Sequence, residues 1–243
     1  MSTAATPMGI DAIVFDVDGT LVDHDFAQRA GLQLHLAARG QHLTSDLWDR
    51  WVAAEERQFA RYLAGELSFE EQRRERVREF LDAPMSDGAA DEWFAAYLTH
   101  FEASWRLFDD VVATLDALAG RPVAAFSNVS GSYTRHKVET VGLTERFAVT
   151  WGVDDVGSAK PDPRTFLSLC AALGVEPART MHVGDRYETD ALGACAAGLV
   201  GVWLDRGRGL ARDPHASMVD PGVMVIHSLA DVLPLLAGDR RFG

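Results

Sequence analysis

The sequence predicts an α/β protein: a doubly wound parallel sheet with an all-helical domain inserted into it. Six short apolar runs recur along the chain, each separated from the next by a segment of helical spacing, and strands that alternate with helices pair in parallel. The stretch from about Asp23 to Trp105 breaks that rhythm, since it holds no convincing strand. The first apolar run stops abruptly at Asp16-Val17-Asp18-Gly19-Thr20, and the carboxyl ends of strands are where sheets of this class keep their sites.

In chain order, Ile10–Phe15 is a β-branched run that suits a buried strand. Four amphipathic helices follow. Ser45 is placed to cap one with Leu47, Trp48, Trp51, Val52, Phe59 and Leu63 on one side. Ser68 with Glu71 makes a capping box before Val77, Phe80 and Leu81, and Ala90, Trp93, Phe94, Tyr97, Leu98 and Phe101 form a further stripe. Aromatics at this spacing read as core rather than as a ligand site. Strands are then expected at Val123–Phe126, Phe147–Val149, Thr180–Val183, Val200–Leu204 and Val223–Ile226. A helix from about Arg164 carries Phe166, Leu167, Leu169 and Cys170 as its apolar side. The expected division is a sheet domain of residues 1–22 and 106–243 around a helical domain of residues 23–105, with residues 1–8 and 238–243 held loosely.

Composition narrows the function classes. An apolar content of 47% in 243 residues is enough to bury a sizeable core. The formal charge of -13 repels polyanions, so neither a nucleic acid polymer nor an anionic membrane is expected as partner. The two cysteines, Cys170 and Cys195, sit in Ala-rich stretches and read as packing residues, not as a disulfide or metal site. With no signal-peptide pattern and no run near 18 apolar residues, the expected location is cytoplasmic.

Four clusters carry chemistry. Two carboxylates at i and i+2 straight after a buried strand repel one another, and a bound cation would relieve the repulsion. Asp16 then suits a nucleophile held against a divalent metal, and Asp18 an acid and base, with Gly19 and Thr20 making the turn; the plain alternative is an Asx-type turn. After Val123–Phe126, the hydroxyl of Ser127 and the free amides around Asn128 can hold a phosphoryl oxygen, or merely cap a helix. Lys160 precedes the rigid turn Pro161-Asp162-Pro163, which suits a cation that must stay in place beside the nucleophile and a phosphate, although a lone Lys is more often solvated. Gly184-Asp185, with Asp190 five residues on, supplies the hard oxygens magnesium prefers; Asp185 suits direct ligation, Asp190 a bracing or capping role, and Glu188 a surface position.

In this order the four clusters resemble the motifs of the haloacid dehalogenase superfamily over nearly the whole chain, and the helical insertion resembles that family's C1 cap. The resemblance implies a Rossmann-like core and a magnesium-dependent phosphatase that hydrolyses a small phosphomonoester through an aspartyl-phosphate. Asp16 would attack phosphorus, Asp18 would protonate the leaving oxygen and later activate water, and Ser127 and Lys160 would hold the phosphoryl group, with Gly19, Thr20 and Asn128 around it. Mg²⁺ would rest on the Asp16 carboxylate, the Asp18 backbone carbonyl and Asp185. Arg186 stands where family members often carry Ser, a departure confined to the surroundings of the metal. His24, near the hinge into the cap, reads as a linker residue. A 2-haloacid dehalogenase is a rival reading against which Asp18 counts, a phosphomutase of the β-phosphoglucomutase type keeps the same acid, and a non-catalytic protein would not need all four clusters intact.

Substrate identity follows no code legible in the cap. Its third helix spreads Arg73, Arg74, Arg76 and Arg78 around its circumference, which fits a solvated face paired with Glu70, Glu71, Glu75 and Glu79. The run Leu67–Arg76 is also similar to cap segments of nucleotidases, which makes Arg76 the candidate substrate contact and a pyrimidine 5'-nucleotide the first substrate, ahead of phosphoglycolate and sugar phosphates. The aromatics suit either a monomer or a homodimer.

Overall fold

The structure, a computed structural model, describes residues 9–207 and 219–238, so most of the two chain ends expected to be loosely held lies outside the described residues. Two compact units divide the chain: the described parts of Met1–Asp23 and Arg106–Gly243 form one, and His24–Trp105 the other.

The first unit is a six-stranded, wholly parallel sheet in the order β3-β2-β1-β4-β5-β6. Its strands are β1 (Ala12–Asp16), β2 (Val123–Phe126), β3 (Val149–Trp151), β4 (Thr180–Gly184), β5 (Val200–Leu204) and β6 (Met224–Ile226). β3 begins two residues later than expected, because a 3₁₀ turn at Thr144–Arg146 takes the chain up to Phe147, whose amide closes on the Thr144 carbonyl. β1 is buried at every residue, as a central strand covered on both faces must be. From β1 the chain builds outward through β2 and β3 on one side, then returns to lay β4, β5 and β6 on the other. The order therefore reverses between β1 and β4, and a crevice opens at their carboxyl ends.

Of the helices on this unit, α8 (Pro163–Leu173) has Pro at its first turn and Asp162 as cap, the carboxylate accepting the Arg164 amide at 2.8 Å. It buries Phe166, Leu169 and Cys170, at i, i+3 and i+4. Leu167, expected on that face, is one residue out of phase and exposed. Cys170 and Cys195 are both free thiols.

The second unit is four helices: α1 (His24–Ala37), α2 (Ser45–Leu63), α3 (Phe69–Leu81) and α4 (Asp87–Glu102). Ser68 and Glu71 form the expected capping box on α3. The cap of α2 is Thr44, not Ser45: its hydroxyl accepts the Leu47 amide at 3.3 Å, and Ser45 is already helical. Leu63, expected on the buried side of α2, lies exposed at the helix end. Trp51 anchors the core, with ring centroids 4.7 Å from Tyr97 and 5.1 Å from Phe80. α1 and α4 meet at Gly31, where a Cβ would stand 2.7 Å from the Phe101 Cα, so the close approach depends on the missing side chain. No described helix is long and apolar enough to cross a membrane.

His35 sits wholly within this core, its ring 4.2 Å from that of Trp93, with Arg39 donating to Nδ1 at 3.1 Å and His100 facing it from α4. Burial, reinforced by the Arg39 charge, pushes its pKa from 6.5 to about 4. The neutral ring is thus the folded form. Its full contribution is present above pH 6.5 and is lost as pH falls toward 4, because the unfolded chain takes up the proton first. Denaturant unfolding at pH 7.0 and 4.5 should show the wild type losing up to about 3 kcal/mol more than His35→Leu on acidification; equal losses would contradict this account.

Candidate active site

The crevice end of β1 carries Asp16, buried at the strand's last position. Lys160, which precedes α8, reaches it from below, with Nζ 2.6 Å from Asp16 Oδ1 and 2.7 Å from Asp190 Oδ1. A buried ammonium needs such partners, because the desolvation it suffers is otherwise uncompensated. The lysine's backbone is pinned in turn by Asn128, just past β2, whose side-chain amide donates to the Lys160 carbonyl at 2.9 Å and whose Oδ1 accepts the Lys160 amide at 2.8 Å. Both ends of the Asn128 side chain are thus committed to Lys160, and the group expected to meet a phosphoryl oxygen here is the backbone amide.

Beyond β4 the chain widens into a π-helical turn, Tyr187–Leu192, of the kind that often marks functional sites. The turn brings Asp190 under Gly184, where a Cβ would lie 2.3 Å from the Asp190 Cγ. Asp190 accepts the Arg186 amide at 3.0 Å and faces His182 Nε2 at 3.1 Å, besides pairing with Lys160. It braces the loop and the cation together. Asp185 lies beside Gly19, whose φ of +87° and lack of Cβ are both required, since a Cβ there would be 2.2 Å from Asp185 Oδ2.

The Gly19 amide donates to the Val22 carbonyl at 2.9 Å, so that N–H holds the loop closed instead of facing a phosphate, contrary to expectation. The Thr20 hydroxyl is buried without a hydrogen-bond partner, and its carbonyl accepts from Arg206 at 3.0 Å. Arg206 is itself held by both oxygens of Asp110 at 2.9 Å. Ser127 is buried at the end of β2. Asp18, whose charge also reaches Asp16, has its Oδ1 2.5 Å from Lys137 Nζ on α6 (Gly131–Thr140).

Oxygens of Asp16, Asp185 and Asp190 lie within 4.8 Å of one another. Burial raises Asp16 from an ordinary 3.8 to about 6 despite Lys160, and burial with the neighbouring Asp16 charge raises Asp185. Burial acts on Asp190 in the same sense, yet Lys160 and His182 hold it below the usual carboxylate range. His182 is kept neutral by burial. The cluster is short of positive charge, and Asp16 Oδ2 is buried with no hydrogen-bond partner. Asp16 and Asp185 offer hard oxygen donors of the type Mg²⁺ takes, whereas Asp190 is already satisfied.

Sequence reasoning passed over two residues here. His182 was visible only as part of a strand. Lys137 had a signal: it falls in the buried stripe Gly131, Thr134, Lys137, Val138, where a lysine needs an explanation. Arg76, in the helical unit, is also buried, with Nη1 2.7 Å from Glu55 Oε1 and its guanidinium 3.8 Å from the Trp51 ring centroid. Of the pairings expected with glutamates of the same helix, Arg78 meets Glu75, whereas Arg74 forms its ion pairs with Asp87 and Asp91.

Comparison with known proteins matches residues 10–198 to the model of the haloacid dehalogenase-like hydrolases. A phosphoglycolate phosphatase of Shigella boydii serotype 4 is 28% identical, the match covering 93% of this chain and 92% of that protein. A phosphoserine phosphatase of Thermus thermophilus is 38% identical over 98 residues, 40% of this chain and 39% of that protein. Among solved structures, the haloacid dehalogenase-type hydrolase YfnB of Bacillus subtilis bound to magnesium superposes with a TM-score of 0.80 at 20% identity, over 93% of this chain and 98% of that one. The L-2-haloacid dehalogenase of Xanthobacter autotrophicus gives 0.70 at 22%, over 94% and 99%. At these identities the structures speak for the fold.

The charges make opposite predictions for two acids. Asp190 is stabilised as an anion, so Asp190→Asn should cost about 3 kcal/mol or more in denaturant unfolding, as the loss of one partner of a buried pair does. Asp16 has its pKa raised, so ionising it destabilises the fold progressively from pH 3.8 and fully above pH 6. Asp16→Asn, unfolded in EDTA at pH 8, should match or exceed the wild type by up to about 3 kcal/mol. A destabilised Asp16→Asn would refute the assignment of strain to that carboxylate.

Proposed function

The chain belongs to the haloacid dehalogenase-like hydrolases, and on that premise we propose that it is a magnesium-dependent phosphatase acting on a small phosphomonoester through an aspartyl-phosphate. The observation that carries this reading is the pair of acids at the end of β1: Asp16 beside the buried Lys160, and Asp18 two residues on, paired with a different lysine, Lys137. A dehalogenase attacks carbon and has no leaving oxygen to protonate, so Asp18 favours the phosphatase over the reaction named for the dehalogenase structures. The relatives named phosphoglycolate phosphatase support the same class.

In the first half-reaction an Asp16 carboxylate oxygen bonds to phosphorus as the ester P–O bond breaks, and the proton on Asp18 passes to the departing alkoxide. In the second, Asp18 takes a proton from water as the water oxygen bonds to phosphorus, the Asp16–phosphate bond breaks, and inorganic phosphate and the free carboxylate result. Lys160 and Ser127 meet the charge on the phosphoryl oxygens, and the fixed position of the lysine means little reorganisation during the reaction. Mg²⁺, held by Asp16, the Asp18 carbonyl and Asp185, would supply charge neutralisation. Asp190 and Asn128 keep Lys160 in place. The helical unit His24–Trp105 is read as the C1-type cap.

The nucleotide expectation rested on Arg76, whose partners are now Glu55 and Trp51. A small carboxylate-bearing ester such as 2-phosphoglycolate therefore moves ahead of nucleotides and sugar phosphates.

With p-nitrophenyl phosphate and Mg²⁺ the wild type should turn over, EDTA should abolish the activity, and Asp16→Asn should lower kcat by at least about 10³-fold. A panel of 2-phosphoglycolate, uridine 5'-monophosphate and glucose 6-phosphate should give the highest kcat/KM with the first. Turnover that survived loss of Asp16 would place the nucleophile elsewhere and overturn the proposal.

A further inference from the structure

Lys137 is 2% exposed on α6, and its Nζ lies 2.5 Å from Asp18 Oδ1. It shares the buried face of the helix with Gly131, Thr134 and Val138. A lysine in such a stripe carries a desolvation cost that an apolar residue of similar size would avoid, and replacing buried ion pairs by apolar groups is often neutral or stabilising. The pair is therefore a poor stabilising device, and what distinguishes it is the identity of the partner.

The backbone around Asp18 is already fixed. The Leu21 and Val22 amides both donate to the Val17 carbonyl, at 3.0 and 2.9 Å, and the Gly19 amide donates to Val22. The direction of the Asp18 carboxyl is set separately from this backbone, through two side-chain torsions and the groups it meets, Lys137 among them. We propose that Lys137 is a positioning residue for the proton donor: by holding Oδ1 as an acceptor, it makes Oδ2 the oxygen that carries the proton and aims it at the leaving oxygen. A carboxylic acid whose carbonyl oxygen accepts from an ammonium presents its O–H on the other side, so the lysine fixes which oxygen donates without itself touching the substrate. The inference rests on the phosphatase reading, since only departure of an alkoxide needs such a donor. A misdirected donor of this kind costs up to about 10²-fold, because proton transfer requires hydrogen-bond reach in the reacting geometry.

The test compares two esters on each enzyme preparation, p-nitrophenyl phosphate, whose phenolate departs unaided, and glycerol 2-phosphate, whose alkoxide does not. The ratio of their kcat/KM values is independent of the fraction of folded protein. In Lys137→Met and Lys137→Gln the glycerol phosphate to nitrophenyl phosphate ratio should fall about 10- to 100-fold, and Lys137→Arg should recover most of it. If kcat/KM falls equally on both esters, or the ratio is unchanged, Lys137 does not position the donor and the inference is overturned while the phosphatase reading stands. A wild type that cleaves neither ester with Mg²⁺ overturns both.

Discussion

One buried ammonium organises the sheet end of this protein. Lys160 is held in the interior by Asp16 on one side and Asp190 on the other, and neither acid would be tolerated at that depth without it. Everything near the crevice is arranged around that cation: Asn128 clasps its backbone, Gly184 makes room for Asp190, and the π-helical turn gives Asp190 its reach. The two acids share the lysine unequally. Asp190, with His182 and the Arg186 amide as further partners, takes the role of a permanent counter-ion, whereas Asp16 keeps one oxygen without a partner and a raised pKa. This inequality separates a strained carboxylate at the end of β1 from a structural one in the turn that follows β4.

The sequence made much of this legible, because strand ends and small polar residues leave strong local patterns. Runs such as Val123–Phe126 and Val200–Leu204 are strands, and the acids and cation follow the strand ends as their positions along the chain suggest. The failures share a cause. Phase errors at Leu167 and Leu63 arose because apolar character was visible and helix rotation relative to the core was not. Gly19 was placed around a phosphate, and the clasp of the Asn128 side chain on Lys160 went unseen, because the pattern shows which groups can donate, but not which other backbone is near enough to occupy them. Lys137 was overlooked for a related reason: its partner is 119 residues away in sequence, and no local pattern encodes so distant a pairing.

The helical unit follows a different logic. Its stability rests on stacked and edge-on aromatics around Trp51 and on the close approach of two helices at Gly31, with a small polar set beside them, Arg76 and Gln28 buried, Glu55 and His24 half-buried. Arg76 and Glu55 neutralise each other there, and burial notwithstanding, Arg76 keeps the Glu55 carboxyl below its ordinary range.

The bond from Arg206 to the Thr20 carbonyl spans 186 residues. Ribosomes deliver a chain from its amino end, so the loop that carries Asp16 and Asp18 emerges long before the guanidinium that closes it, and before Ser228 and Leu229, which hold Asp110 from its other side. The nascent protein must therefore carry this loop without its Arg206 clamp through most of its synthesis. A shortened form ending where the family resemblance stops, near residue 198, would have the acids and the lysine but lack the late residue that locks their loop.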